Sequence, residues 1–130
     1  MNWVIKMKIS DMKVLVCDDS ILVRKKFREL LAKIGCGTIW EASDGEQAVS
    51  MFKEHMPDIV FMDIIMPKKT GLEALREIRA HNRNAKVVMA SSIGTQSHLK
   101  EAVNVGVFDF LQKPIDDEQV LKIVNNVLNG

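Results

Sequence analysis

Short apolar runs that alternate with helical periods constrain this chain more than any other feature. The first run, residues 13–18 (KVLVCD), is rich in β-branched side chains and ends in acid. The period then changes. Val23, Phe27, Leu30, Leu31 and Ile34 recur at helical spacing behind Ser20, a good N-cap, and Gly35 and Gly37 stop the helix. The same switch repeats along the chain. Residues 38–40 lead to a turn at Ser43, Asp44 and Gly45, then to a helix with Ala48, Met51 and Phe52 inward, ended by Pro57. Residues 58–62 (DIVFM) reach Asp63; Met66, Pro67 and Gly71 punctuate a loop, and Leu72, Leu75 and Ile78 mark the next helix. Residues 86–90 (KVVMA) reach Ser91 and Ser92, before a helix expected from about Thr95 to Val105 and stopped by Gly106. Residues 107–111 reach Lys113 and Pro114, and Val120, Ile123, Val124, Val127 and Leu128 line a last helix. Five such pairs predict an α/β fold of (βα)5 type, a doubly wound five-stranded parallel sheet. The runs are almost continuously apolar, as strands buried on both faces must be, and the crossovers are right-handed.

The 130 residues suit one domain with a core of its own. Residues 1–12 read as an N-terminal extension, ordered in part through Trp3 and Val4, and 13–130 as the domain. Eighteen Lys and Arg against seventeen Asp and Glu leave a formal charge of +1, which argues against a strongly basic nucleic-acid binder. No apolar run approaches the ~20 residues of a membrane span. Lys6 and Lys8 break up the N-terminus, so no signal-peptide core is expected. Two cysteines are too few for a disulfide framework or a zinc site. The expectation is a reduced, cytoplasmic protein with no membrane insertion. Cys17, inside the first strand, reads as a small buried hydrophobe, and Cys36 as a turn residue. His55, His81 and His98 lack metal spacing and read as solvated.

In an open parallel sheet, ligands bind beyond the carboxyl ends of the strands. The sequence puts Asp18, Asp19, Asp63, Ser91, Ser92 and Lys113 there. Carboxylates so close together repel unless one protonates or a cation joins them. Magnesium, which prefers oxygen ligands and keeps several waters, removes the conflict; manganese is the alternative ion. A carboxylate held between a metal and an ammonium can attack phosphorus. Placement thus predicts phosphoryl transfer onto an aspartate. Each residue also has a plainer account: Asp18 and Asp19 as helix caps, Asp63 as a polar strand end, Ser91 as a loop serine, Lys113 as a surface lysine.

The segments VLVCDDS, PDIVFMDIIMPKKTGLE, VVMASS and GVFDFLQKP stand in one order from about Lys13 to Gly130. In that order and spacing the sequence resembles the receiver domain of two-component response regulators, of the stand-alone chemotaxis (CheY-like) type. The resemblance implies a flavodoxin-like strand order 2-1-3-4-5. It implies Asp63 as phosphoacceptor, and magnesium held by Asp19, by Asp18 mainly through water, by Asp63 and by the backbone carbonyl of Ile65. It makes Lys113 the partner of the phosphoryl group, with a cis bond to Pro114. Ser91 becomes the switch hydroxyl and Phe110 the switch aromatic that turns inward. The implied partners are a sensor histidine kinase, docking near Ile21 and Leu22, and a downstream protein. The downstream protein would read the face of the fourth helix, fifth strand and fifth helix, where Lys100, Glu101, Asn104 and Phe110 fall. The protein would be a monomer or a phosphorylation-dependent dimer.

Three positions depart from the family pattern. Ser91 replaces the commoner threonine, Ser92 stands where alanine is usual, and Phe110 replaces tyrosine. Ile65 and Ile93 would flank the acyl phosphate and shield it from water, which predicts slow self-dephosphorylation. A phosphatase of the haloacid-dehalogenase class would need a second Asp where Ile65 stands. A mononucleotide binder would need a Ser/Thr/Gly-rich loop in place of DDSILVRK. A receiver fragment of a longer transcriptional regulator and a phosphorylation-independent scaffold remain as alternatives. On the favoured reading the chain is a phosphoacceptor and not an enzyme.

Overall fold

The computed structural model describes residues 7–92 and 94–130; Trp3, Val4 and Ile93 lie outside them. The strands are β1 (Lys13–Cys17), β2 (Thr38–Ala42), β3 (Ile59–Asp63), β4 (Val87–Ser91) and β5 (Asp109–Gln112). The helices are α1 (Ile21–Ile34), α2 (Gly45–His55), α3 (Gly71–His81), α4 (Leu99–Val105) and α5 (Asp117–Asn129). All strand pairs are parallel, in the order β2-β1-β3-β4-β5, as expected from the sequence.

Side chains of successive strand residues point to opposite faces, and this divides the core in two. Leu15, Cys17, Val60, Met62, Val87 and Met89 pack under α2, α3 and α4. Val14, Val16, Phe61, Val88 and Leu111 pack under α1 and α5. Phe27, Leu30 and Leu31 of α1 and Val120, Ile123 and Val124 of α5 are buried there, the helical stripes read from the sequence. Before β1, a 3-10 turn (Ile9–Asp11) brings Met12 into this second cluster, fully buried.

The helix starts follow from local chemistry. Ser20 Oγ accepts from the Val23 amide at 3.3 Å, and Asp44 Oδ1 from Gln47 at 2.8 Å. Thr70 and Glu73 form a reciprocal capping box. The fourth helix differs from expectation. It starts at Leu99, after a 3-10 turn (Gln96–His98), and has no side-chain cap. Its N-cap position falls on His98, whose side chain makes no capping bond, while the Thr95 hydroxyl turns back onto Ser92. Two histidines expected to be solvated are engaged: His55 stacks on Trp40 with ring centroids 4.1 Å apart, and His81 meets Phe52 edge-on at 6.4 Å.

Both outer strands have a rim group covered by the chain itself. The Ile39 carbonyl of β2 accepts from Arg28 Nη2 at 2.8 Å. The Phe110 amide of β5 donates to its neighbour Asp109 Oδ1 at 2.8 Å.

Candidate functional site

At the carboxyl edge, Asp18 and Asp19 follow β1, Asp63 ends β3, Ser91 ends β4 and Lys113 follows β5. One carboxylate oxygen each from Asp18, Asp19 and Asp63 lies within 4.8 Å of the others. Lys113 Nζ sits 2.5 Å from Asp18 Oδ2 and 3.3 Å from Asp63 Oδ2. Asp18 and Asp63 are buried, whereas Asp19 is exposed at the mouth.

Asp18 is fixed from two sides. Its Oδ1 accepts from the Ser20 amide at 2.9 Å, and its carbonyl from Arg24 Nη1 at 2.8 Å. Arg24 and Arg28 both grip Glu41 of β2, at 3.0 and 2.8 Å. Burial alone would raise the Glu41 carboxyl, and the two guanidinium hydrogen bonds outweigh it, holding it below the usual range. This brace was missed in the sequence. The four-residue spacing of Arg24 and Arg28 is visible there, but pairing with Glu41 depends on how α1 lies over β2.

Asp63 is placed by close backbone approach. A Cβ on Gly71 would stand 1.9 Å from the Asp63 carbonyl oxygen, so only glycine lets the β3–α3 loop fold back. The Gly71 amide then donates to the Ile64 carbonyl at 2.7 Å. Burial pushes the Asp63 carboxyl above its ordinary value, Asp18 pushes it further, and Lys113 offsets only part. For Lys113, burial favours the neutral amine, but Asp18 and Asp63 together hold the ammonium and raise its pKa.

The residues fit a divalent cation. Three carboxylates face one ammonium, so two negative charges stay uncompensated at one spot, and all the donor atoms are oxygen. The Ile65 side chain is 48% exposed beside this cluster. Ser91 is buried, and its Oγ donates to the Leu111 carbonyl at 3.5 Å, a long contact that leaves the hydroxyl weakly held. Phe110 is 45% exposed. It is turned outward, and with Ser91 it borders a cavity of ≈ 260 Å³. The bond from Lys113 to Pro114 is cis. Cys17 is wholly buried and burial pushes its thiol up, which keeps it protonated and inert.

The five-stranded order and the acidic edge define a class, and comparison with known proteins agrees. The response regulator receiver domain model matches residues 14–125, and the chain belongs to that family. It is 39% identical over 117 residues to the chemotaxis protein CheY of Bacillus subtilis, covering 90% of this chain and 98% of that one. Among solved structures, a response regulator receiver domain protein from Clostridium thermocellum superposes with a TM-score of 0.86 at 28% identity, covering 91% and 94% of the two chains. A CheX–CheY–BeF3–Mg complex from Borrelia burgdorferi gives 0.83 at 36% identity, covering 89% of this chain and 88% of that one.

Proposed function

We propose that this chain is a phosphorylation-activated switch in which Asp63 accepts a phosphoryl group from a sensor histidine kinase. The observation that carries the reading is the ammonium of Lys113 set between two buried carboxylates, with a third at the mouth. Asp18, Asp19, Asp63 and the carbonyl of Ile65 would hold magnesium. When bound, magnesium neutralises the carboxylate cluster and stabilises charge on the phosphoryl oxygens.

The chain's own residues do the rest. Asp63 Oδ forms a bond to phosphorus as the P–N bond of the donor phosphohistidine breaks. Lys113, already 3.3 Å from Asp63, follows the new charge. Ser91 gives up its long bond to Leu111 for a phosphoryl oxygen. Phe110 then turns toward the cavity it borders with Ser91, and the α4-β5-α5 face changes shape. The exposed Lys100, Glu101, Asn104 and Phe110 lie on that face, which a downstream protein would read. A role in chemotaxis, in the cytoplasm, is favoured by the similarity to CheY proteins. Among the described residues no helix is long and apolar enough to cross a membrane.

The test is incubation with magnesium and acetyl phosphate followed by intact mass, with Asp63→Asn alongside. A gain of one phosphoryl group is expected in the wild type, and none without magnesium or in the variant. No gain, in a protein that also fails to bind magnesium, would leave a phosphorylation-independent scaffold.

A further inference from the structure

The amide that follows the switch serine is aimed at the site, and it is already taken. The Ser91 carbonyl accepts from the Lys113 amide at 2.7 Å, on the β5 side of β4. Across a planar trans peptide the next N–H points the opposite way, so the Ser92 amide faces the β3 side. β3 ends there in Asp63, in register with Ala90. A donor is therefore directed toward the space beside the Asp63 carboxylate. Thr95 Oγ1 accepts that amide at 2.9 Å, and the same hydroxyl donates to the Ser92 carbonyl at 2.9 Å. The Thr95 amide donates to the same carbonyl at 3.1 Å, a third bond between the two residues. Gly94, at φ +98°, supplies the left-handed step that closes the turn, with nothing within 4 Å of where a Cβ would stand.

We infer that Thr95 is a positioning residue, a clasp that holds the Ser92 amide in the resting protein and releases it to the phosphoryl oxygens on Asp63. The inference rests on the reading of Asp63 as acceptor. The hydroxyl takes the acceptor position on that amide, so the charged state must exchange this one hydrogen bond for a phosphoryl oxygen. A ligand shifts such an equilibrium only by its preference for one of the two states. Removing the clasp weakens the resting state alone and favours the state with an anion on Asp63. A residue that merely stiffened the loop would give the opposite sign, because its loss would loosen the site and weaken anion binding.

The experiment is calorimetric titration of the full chain with beryllofluoride in excess magnesium. Thr95→Val, which keeps the shape and removes the hydroxyl, should lower the half-saturating concentration about fivefold, the equilibrium equivalent of one ordinary hydrogen bond. Thr95→Ala should move in the same direction, and Thr95→Ser should stay with the wild type. Unchanged or weaker binding by Thr95→Val and Thr95→Ala, where the wild type binds, would overturn the clasp alone. No binding by the wild type, with no mass gain from acetyl phosphate, would remove the acceptor reading and the clasp with it.

Discussion

Asp63 works against the fold that holds it. Burial comes first among the causes that raise its pKa, then Asp18, and Lys113 at 3.3 Å offsets only part. A carboxyl whose folded pKa lies above its unfolded one supports the fold only at low pH, and that support is lost as pH rises through the folded value. At neutral pH the ionised Asp63 is thus a net cost. Without metal, Asp63→Asn should resist urea better than the wild type at pH 7, and the gap should close below about pH 4. A less stable Asp63→Asn at pH 7 would mean that the Lys113 pair outweighs burial. Ile65, exposed and two residues beyond Asp63, would bear on the lifetime of a phosphoryl group there. Phosphorylated wild type should lose its added mass several-fold more slowly than Ile65→Asn, which offers water a polar approach; equal decay would dismiss the shielding. At this scale the sequence was most legible, because Asp18, Asp19, Asp63, Ser91 and Lys113 each end or follow a strand, and strand ends can be read from apolar runs. The apolar period places the start of the fourth helix at about Thr95, four residues before Leu99 where it begins. The Thr95 hydroxyl instead found the Ser92 backbone, a local competition that no periodicity reveals.

Among the elements, α3 is the best specified and α4 the least. The former has a complete capping box, with Thr70 Oγ1 accepting from the Glu73 amide at 3.2 Å, and buries Leu72, Ala74, Leu75 and Ile78. Thr70→Ala should lower unfolding stability by about 1 kcal/mol, measured from the urea midpoint, with Thr70→Ser close to the wild type. The helix α4 has seven residues and buries only Ala102. It is tied laterally through the Arg76–Glu101 ion pair to α3, and at about half exposure such a pair contributes ~0–1 kcal/mol. A helix held this weakly suits a face that, under the proposed function, would change shape. Strand ends shifted by one or two residues from the sequence reading: β2 runs on to Ala42, and β5 begins at Asp109. Those ends are decided by pairing with β1 and β4, which the sequence of the strand itself does not carry.

For the whole molecule, the order of the strands is what gathers distant residues. Lys113 and Asp18 stand 95 residues apart along the chain and touch, because β1, β3, β4 and β5 present the same edge. The alternation of runs and periods announced the layered fold. The division into two cores, and the Arg24–Glu41–Arg28 brace behind Asp18, needed the helices to be seated on the sheet. The two covered rims bear on how such a molecule can be recognised. A partner that extended the sheet by one more strand would have to displace Arg28 from Ile39 on one side, or Asp109 from Phe110 on the other. Backbone-to-backbone zippering, which is nearly blind to sequence, is thereby discouraged at both ends. What a partner can read is side-chain relief, and beside β5 that relief includes the exposed ring of Phe110, which under the proposed function would turn with the charge at Asp63.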